Sequence, residues 1–364
     1  MDWLSNSVRE DVFQYWQVSH DDLEREVGLV SGITGGSLEW NDLSDIKTSG
    51  SLDYIEKPDV GNGLLRVVSV STDLATGEFE RVVHGTYLVS TPSSTYRGAI
   101  EEGTADLYSV LQILAEDCFE EPFVLKAGAT AVTAAANIVI SAGLPVVASP
   151  SDVQITGDVV FDSDDSKLEI VNSLLEMAGF AAADCDGYGR VLFRSCGSDP
   201  RTPRWSLADD STCVFRSGIA HECDVFSVPN VVVVSCKSSG EDDVTPGIAV
   251  NGDSSSPFSI QSRGRRIVLH ETVSNVADHA ALQAKAERIL LGKMALTDDY
   301  EVVHSYIPLN MGEVCALRYD KAGVYCDNLV AVRRSMKLRP GMECTTHFRR
   351  SAQLSDSLPA GNES

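Results

Sequence analysis

The sequence predicts an α+β protein with two β-barrel-like or sheet domains, each with a covering helix, and an inserted β-α-β-α-β-β module between them. Runs rich in aromatic and β-branched residues, broken by Gly and Asp turn signals, occupy both ends of the chain. Between them, apolar residues change to helical spacing at residues 131–142 and 168–178. A length of 364 residues exceeds what one ordinary core requires, so we expect two or three domains.

The first part, residues 1–120, is predicted to be an antiparallel sheet or small barrel with one helix. Polar or Gly-containing turns join its strand patterns, which lie at residues 12–19, 26–34, 37–40, 48–55, 64–71 and 78–89. Apolar residues then recur at helical spacing from Leu107 to Cys118, and Thr104 is interpreted as the N-cap. Such a helix is expected to cover the sheet's open face or end.

The middle part, residues 123–200, is predicted to be a compact inserted module. Its first helix ends at Gly143, and its second begins at a capping box in which Ser166 and Glu169 satisfy each other's backbone donors. Its predicted strands lie at residues 123–125, 153–161, 180–183 and 190–194.

The last part, residues 201–350, is predicted to be a second β-rich domain with one long helix at residues 278–296. Its predicted strands lie at residues 228–237, 267–271, 300–307, 314–319, 323–332 and 342–349. Residues 238–257 are expected to form an exposed loop, and residues 351–364 a disordered tail. The shared plan of the first and last parts suggests a split or duplicated β-domain with an insertion.

The net charge of -24, from 53 acidic and 29 basic residues, argues against nucleic-acid binding by phosphate neutralisation. One interpretation is that this charge keeps the protein soluble and suppresses self-association. The more specific interpretation is an acidic surface that a polyanion passes without binding. No signal peptide or membrane span is expected from the sequence. The nine cysteines include no Cys-x-x-Cys pair, so reduced buried thiols are expected rather than structural zinc.

Several acidic clusters are candidates for chemistry, and each has a simpler interpretation. Residues 162–166 resemble a cation loop but lack the Gly and distal Glu of an EF-hand, and residues 184–187 are more simply a turn. The glycine pairs Gly35-Gly36 and Gly61-Asn62-Gly63 are interpreted as turns, because no Lys-Ser/Thr follows them.

Three histidines lie beside acids, and two glutamate pairs could be imagined as a glycosidase pair. Neither set shows the spacing of a metal site, a catalytic triad or a sugar cleft, so we expect no catalytic, metal or cofactor site. These residues are His20, His221, His270, Glu101-Glu102 and Glu120-Glu121.

One basic cluster stands out in this acidic chain, and the pairs Arg333-Arg334 and Arg349-Arg350 accompany it. Arg263, Arg265 and Arg266 are predicted as contacts to an acidic partner surface. A plain exposed hairpin end is the alternative.

Four stretches, in this order, resemble the hub family of phage and prophage tails, which closes the tail tube and begins the tip. They are residues 15–51 with the Gly35-Gly36-Ser37 segment, residues 81–89, the central segments 128–145 and 166–193, and residues 281–341. The chain departs from the family's frequent Pro-Gly-Asp at Met311-Gly312-Glu313.

The resemblance implies a non-enzymatic virion tail protein, assembled in the bacterial cytoplasm, without a cofactor. It implies a homotrimer in which two similar barrels per chain form a pseudo-sixfold ring that contacts the tail tube and other tail-tip proteins. DNA would pass through the ring without being bound specifically. The alternatives are a β-rich carbohydrate- or surface-binding module and a cell-wall hydrolase.

Overall fold

The computed structural model describes residues 1–4, 8–61, 63–90, 93–98, 100–155, 157–195, 202–223, 226, 228–237, 245–274, 279–295 and 298–350. The first part folds into eight strands and a short helix. They are β1 (Arg9–Val18), β2 (Glu26–Leu29), β3 (Ile33–Asn41), β4 (Thr48–Tyr54), β5 (Leu64–Asp73), β6 (Phe79–Val89), β7 (Ser93–Arg97), β8 (Ile100–Ser109) and α1 (Leu111–Glu116).

The two hairpins with the clearest turn signals form as predicted. β1 pairs antiparallel with β2, and β5 pairs antiparallel with β6. β5 also pairs with β1 on its other side, so it is a central strand, and most of its side chains are buried on both faces.

The middle part contains two small sheets and two helices. Its elements are β9 (Phe123–Leu125), α2 (Ala131–Ser141), β10 (Val146–Ala148), β11 (Val159–Phe161), α3 (Lys167–Met177), β12 (Asp184–Cys185) and β13 (Val191–Phe193). The capping box at α3 is confirmed: Ser166 Oγ accepts from the Glu169 backbone N–H, and Glu169 Oε2 accepts from the Ser166 N–H.

The last part contributes the remaining strands and helices. They are β14 (Trp205–Ala208), β15 (Ala220–Cys223), β16 (Val231–Lys237), β17 (Gly247–Val250), α4 (Ile260–Arg263), β18 (Val268–Ser274), α5 (His279–Ala295), β19 (Asp298–Ser305), β20 (Val314–Tyr319), β21 (Val324–Lys337) and β22 (Glu343–Arg350), with a 3-10 turn at Asp320–Ala322.

Among the described residues, the eight strands of the first part and six strands of the last part form one open sheet of fourteen strands. Its main path runs β15-β19-β22-β21-β3-β4-β8-β6-β5-β1-β2, with β14, β20 and β7 attached beside it. The antiparallel pairing of β3 with β21 joins the two parts. The predicted α+β class is therefore confirmed, with open sheets rather than closed barrels among the described strands.

A separate three-stranded sheet lies within the last part. Its order is β17-β16-β18, and α5 packs on it around Val232, Val234, Leu282 and Leu290. Gly247 permits this packing, because a Cβ there would lie 2.3 Å from the backbone of Leu282.

Two larger cores hold the remaining elements together. One is shared by both β parts and includes Leu38, Tyr87, Leu329 and Phe348. The other joins the first part to the middle part, because Leu64 and Leu111 pack with residues of α2, α3 and β13.

The predicted helix from Thr104 is wrong. Residues 100–109 form β8, which buries Ala105, Leu107 and Ser109 on one face, and the helix begins only at Leu111. Leu107 fits the helical spacing as well as the strand alternation, so the periodicity did not separate the two.

The predicted turn at Gly35-Gly36 is also wrong, because both glycines lie inside β3. The backbone of Gly36 has φ +140°, and a Cβ there would lie 2.0 Å from the carbonyl oxygen of Ser51 on β4. Glycine is needed here for a close approach between strands beside a β-bulge.

Two further boundaries differ from the prediction. The predicted loop 238–257 contains strand β17, although its residues 238–244 lie outside the described part of the chain. The predicted strand 153–161 is reduced to β11 and an isolated bridge between Thr130 and Gln154. The predicted disordered tail, residues 351–364, also lies outside the described residues.

Among the described residues, no helix is long and apolar enough to cross a membrane.

Candidate functional site

The pairing of β3 with β21 places a buried arginine where the first and last parts of the chain meet. In this register Arg334 lies opposite Trp40, and Met336 lies opposite Leu38. Arg334 is only 5% exposed. Its guanidinium lies 4.2 Å from the ring centroid of Trp40 and 5.5 Å from that of Tyr306, an arrangement that permits cation–π attraction.

The hydrogen bonds of Arg334 use only part of its donor capacity. Nη1 donates to the carbonyl oxygen of Leu309 at 2.7 Å and more weakly to that of Ile307 at 3.4 Å. Nε is buried and has no hydrogen-bond partner among the described residues. No described carboxylate lies within ion-pair distance of the guanidinium.

Two buried histidines lie in the same region. His84 Nε2 is 2.8 Å from Ser69 Oγ, and burial followed by the charge of Arg334 lowers the pKa of His84 to about 3. Burial, assisted by Arg334, also lowers the pKa of His304 to about 4. Because His304 Nδ1 must donate to the carbonyl of Ser305, neutral His304 accepts at Nε2 from Thr346 Oγ1.

A cavity of about 360 Å³ opens beside Arg334 where the first, middle and last parts meet. Trp40, His84, Cys185 and Tyr306 are among the side chains that line it. Burial raises the pKa of the Cys185 thiol to about 11, so the thiol stays protonated at neutral pH and is a poor nucleophile.

The other charged side chains on this cavity have partners. Lys47 pairs with Asp42 at 2.7 Å, and Arg194 lies 3.7 Å from Asp184. Burial raises the pKa of Asp184, and the positive charge of Lys47 opposes that rise most. The remaining pairs are Asp186 with Arg190 and Arg204 with Glu313.

The predicted arginine cluster lies elsewhere, around the end of α4. Arg263 Nη1 donates to the carbonyl oxygens of Phe226 and Val228, each at 3.2 Å, so this residue ties a neighbouring segment to the helix. Arg265 lies 4.2 Å above the ring of Phe226, and both Arg265 and Arg266 are exposed. A role as partner contacts stays a prediction for these arginines.

The other candidates are dispersed. In the predicted cation loop, Asp165 Oδ2 accepts from the backbone N–H of Asp162, and the described residues contain no group of three metal-ligating side chains. Asp186 Oδ1 accepts from the N–H groups of Tyr188 and Arg190, which is the hydrogen bonding of a turn, whereas Asp184 and Cys185 belong to β12.

The three acid-flanked histidines and the glutamate pairs lie on different elements. His20 follows β1, His221 lies on β15 where it stacks on Tyr300, and His270 lies on β18. Glu101 and Glu102 lie on β8, where they interact with Ser94 and Arg97, and Glu120-Glu121 lie between α1 and β9.

The sequence interpretation missed two buried arginines, Arg66 and Arg334. Arg66 is 1% exposed on β5, in the apolar run Leu64-Leu65-Arg66-Val67-Val68. A single arginine inside such a run was a signal for a buried charge. Arg334 belongs to the basic pair Arg333-Arg334, for which the sequence favoured an exposed position or an acidic partner surface, and its burial corrects that expectation.

The fold matches solved structures of tail proteins over almost the whole chain. A tail protein from Neisseria meningitidis MC58 matches with a TM-score of 0.68 at 14% identity, covering 93% of this chain and 96% of that one. The 43 kDa tail protein of prophage MuSo2 from Shewanella oneidensis matches with a TM-score of 0.66 at 12% identity, covering 94% and 98%.

A third match is the Escherichia coli protein c3393, described as a type VI secretion component with structural similarity to the T4 tail proteins gp27 and gp5. It has a TM-score of 0.51 at 11% identity, covering 91% of this chain and 77% of that one. No protein-family model and no curated protein sequence matches the chain. The resemblance to tail hub-type proteins is thus confirmed for the fold.

Proposed function

We propose that the chain is a non-enzymatic structural component of a phage or prophage tail tip, a hub that forms a ring and closes the tail tube. The observation that carries this proposal is the end-to-end likeness to two tail proteins, each covered over more than nine-tenths of its length. The likeness covers 93% and 94% of this chain, which supports a single structural role for the fold.

The proposed ring is a homotrimer, and the topology supports it. Each chain supplies two β parts joined through β3 and β21, so three chains supply six. The main sheet path ends at β2 and β15, whose outer edges pair with no described strand. A cyclic ring can close when one edge of each chain meets the other edge of the next chain.

In the proposed hub, residues 1–120 form a first hub domain, residues 123–200 an inserted module and residues 201–350 a second hub domain. The partners proposed for it are the tail tube and other tail-tip proteins. DNA passes through the ring without specific binding, because a charge of -24 on each of three chains repels phosphate.

Solution mass tests the proposal. Light scattering on the purified chain should give three times 39.2 kDa. A monomer that binds glycans would favour the surface-binding alternative, and turnover of peptidoglycan would favour the hydrolase.

A variant at the sheet edge sharpens this test. Leu29→Lys places a charge on β2 at a residue that is 63% exposed, so it should break the trimer without disturbing the core. Leu43→Lys, at a residue 59% exposed between β3 and β4, is the matched control and should leave the mass unchanged. Equal masses for the two variants would count against assembly through this edge.

We also propose Arg265 and Arg266 as contacts to an acidic neighbour in the tail. Reversing both charges with Arg265→Glu and Arg266→Glu should lower the fraction of the chain that is incorporated into tail particles. Arg97→Glu, at an exposed arginine on the β7 strand, is the control. Unchanged incorporation of the double variant would remove these residues from the interface.

A further inference from the structure

The junction cavity carries an unbalanced positive charge. Among the described residues, Arg66 and Arg334 are the two buried arginines, and Arg66 has a carboxylate partner in Glu26. Arg334 contacts two carbonyl oxygens and two aromatic rings, but no carboxylate of the described residues lies within ion-pair distance of it. Burying an ionised group without a counter-charge is costly, because the lost hydration is only partly replaced.

The rest of the cavity does not supply the missing charge. Four basic and three acidic side chains line it, so the lining is net positive in a strongly acidic protein. Each of the three acids has its own basic partner, namely Lys47, Arg194 or Arg190. Within the described part of the chain, the charge of Arg334 therefore has no counter-charge.

The cavity is open to solvent and large enough for a small group. Arg194, Arg204 and Asn310 line it and are exposed, so they form its mouth. A volume of about 360 Å³ accommodates a carboxylate or phosphate with a few attached atoms. Arginine at the base and at the mouth provides N–H donors suited to oxyanions, which bind guanidinium groups through charge-assisted hydrogen bonds.

We propose that the junction cavity binds an oxyanion, a carboxylate or a phosphate group, whose charge neutralises Arg334. Two sources share this chemistry: a free anion such as inorganic phosphate, and an acidic side chain of a neighbouring chain. Occupation of the cavity would tie the first, middle and last parts of the chain together, since all three contribute to its lining.

Isothermal titration calorimetry on the full chain tests this site. The probes are inorganic phosphate, acetate and glutamate blocked at both ends, each at ionic strength matched with sodium chloride. We expect saturable binding of at least one probe, and Arg334→Met should weaken it by at least about tenfold because the charge that the anion neutralises is gone. If phosphate binds more tightly than blocked glutamate, the natural ligand is a free anion. If blocked glutamate binds more tightly than acetate, the natural ligand is an acidic side chain.

Surface variants keep the test valid if Arg334→Met does not fold. Arg194→Gln combined with Arg204→Gln changes only exposed residues at the mouth and should also weaken binding. Arg265→Gln, outside the cavity, is the control and should bind as the unmodified chain does. The absence of saturable binding for every probe, or equal binding by the mouth variant and the control, would overturn the proposal.

Discussion

Two junctions of this molecule each contain a buried arginine, and they are satisfied very differently. Arg66, between the first part and the middle part, donates to Thr86 Oγ1, Glu26 Oε1 and the carbonyl oxygens of Leu23 and Tyr188. Arg334, between the two β parts, donates to two carbonyl oxygens through one nitrogen and has no carboxylate partner among the residues that the structure describes. Both also lie over aromatic rings.

The difference indicates that the two junctions have different roles. An arginine whose three nitrogens all donate hydrogen bonds and that has a carboxylate partner contributes to folding of the single chain, because removing it leaves those partners unpaired. An arginine with unused capacity beside an open cavity leaves that capacity for a ligand. We therefore expect the Arg66 junction to be stable in the isolated chain, and the Arg334 junction to respond to anions.

The largest effect is expected at the satisfied junction. Arg66→Met should lower the free energy of unfolding by about 3 kcal/mol, because it leaves buried carbonyl oxygens without a hydrogen-bond donor and removes one partner of Glu26. Denaturant titration measures this change. Arg97→Met, at an exposed arginine, is the control and should change stability by no more than about 0.5 kcal/mol.

The stability of the region around Arg334 should depend more strongly on acid than that of the region around Arg66. The pKa values of His84 and His304 are about 3 and about 4 in the folded chain, below the ordinary value of 6.5. The unfolded chain then binds more protons, so the stability that is present above pH 6.5 falls as the pH drops toward those values. The loss at pH 5 should be roughly 2 kcal/mol for each histidine.

Denaturant titrations at pH 7 and pH 5 test this dependence. His84→Gln should reduce the difference between the two pH values, whereas His20→Gln, at an exposed position, serves as the matched control. An equal pH dependence in both variants would contradict the role of the buried ring.

A smaller effect is expected for the unsatisfied arginine. In buffer without phosphate or carboxylate, Arg334→Met should change the free energy of unfolding by no more than about 1 kcal/mol, because relief of an uncompensated charge offsets two lost hydrogen bonds. The same denaturant titration measures it. A loss as large as that for Arg66→Met would mean that both junctions are satisfied alike.

The smallest effect concerns the histidines beside Arg334. Removing that charge with Arg334→Met should raise the pKa of His84 and His304 by less than about one pH unit, because burial and not Arg334 is the main cause of the depression. Titration of the imidazole resonances by NMR measures both values. A complete return to 6.5 would show that charge, rather than burial, dominates.

The sequence predicted the features that depend on local signals. The β1–β2 and β5–β6 hairpins, α2, α3 with its capping box, and α5 follow from turn residues, caps and periodicity within a few residues. It did not predict β8 as a strand, because Leu107 fits both helical and strand periodicity. It also did not predict β17, which is four residues long and begins at a glycine.

The junction cavity could not be predicted because it depends on pairing between distant strands. β3 and β21 are nearly 300 positions apart, and no local pattern specifies their register. A β-bulge between Ala331 and Arg333 then changes which residues face the core, so Leu329 and Ala331 before it and Arg334 and Met336 after it are buried. Without the bulge, the alternation would turn Arg334 outward.

In the proposed tail hub, three chains with two β parts each form one ring. Cryo-electron microscopy of the purified assembly tests this arrangement. We expect a threefold ring in which six β units alternate between the first and last parts of the chain. A ring of six chains, or particles that remain single chains at micromolar concentration, would rule the arrangement out.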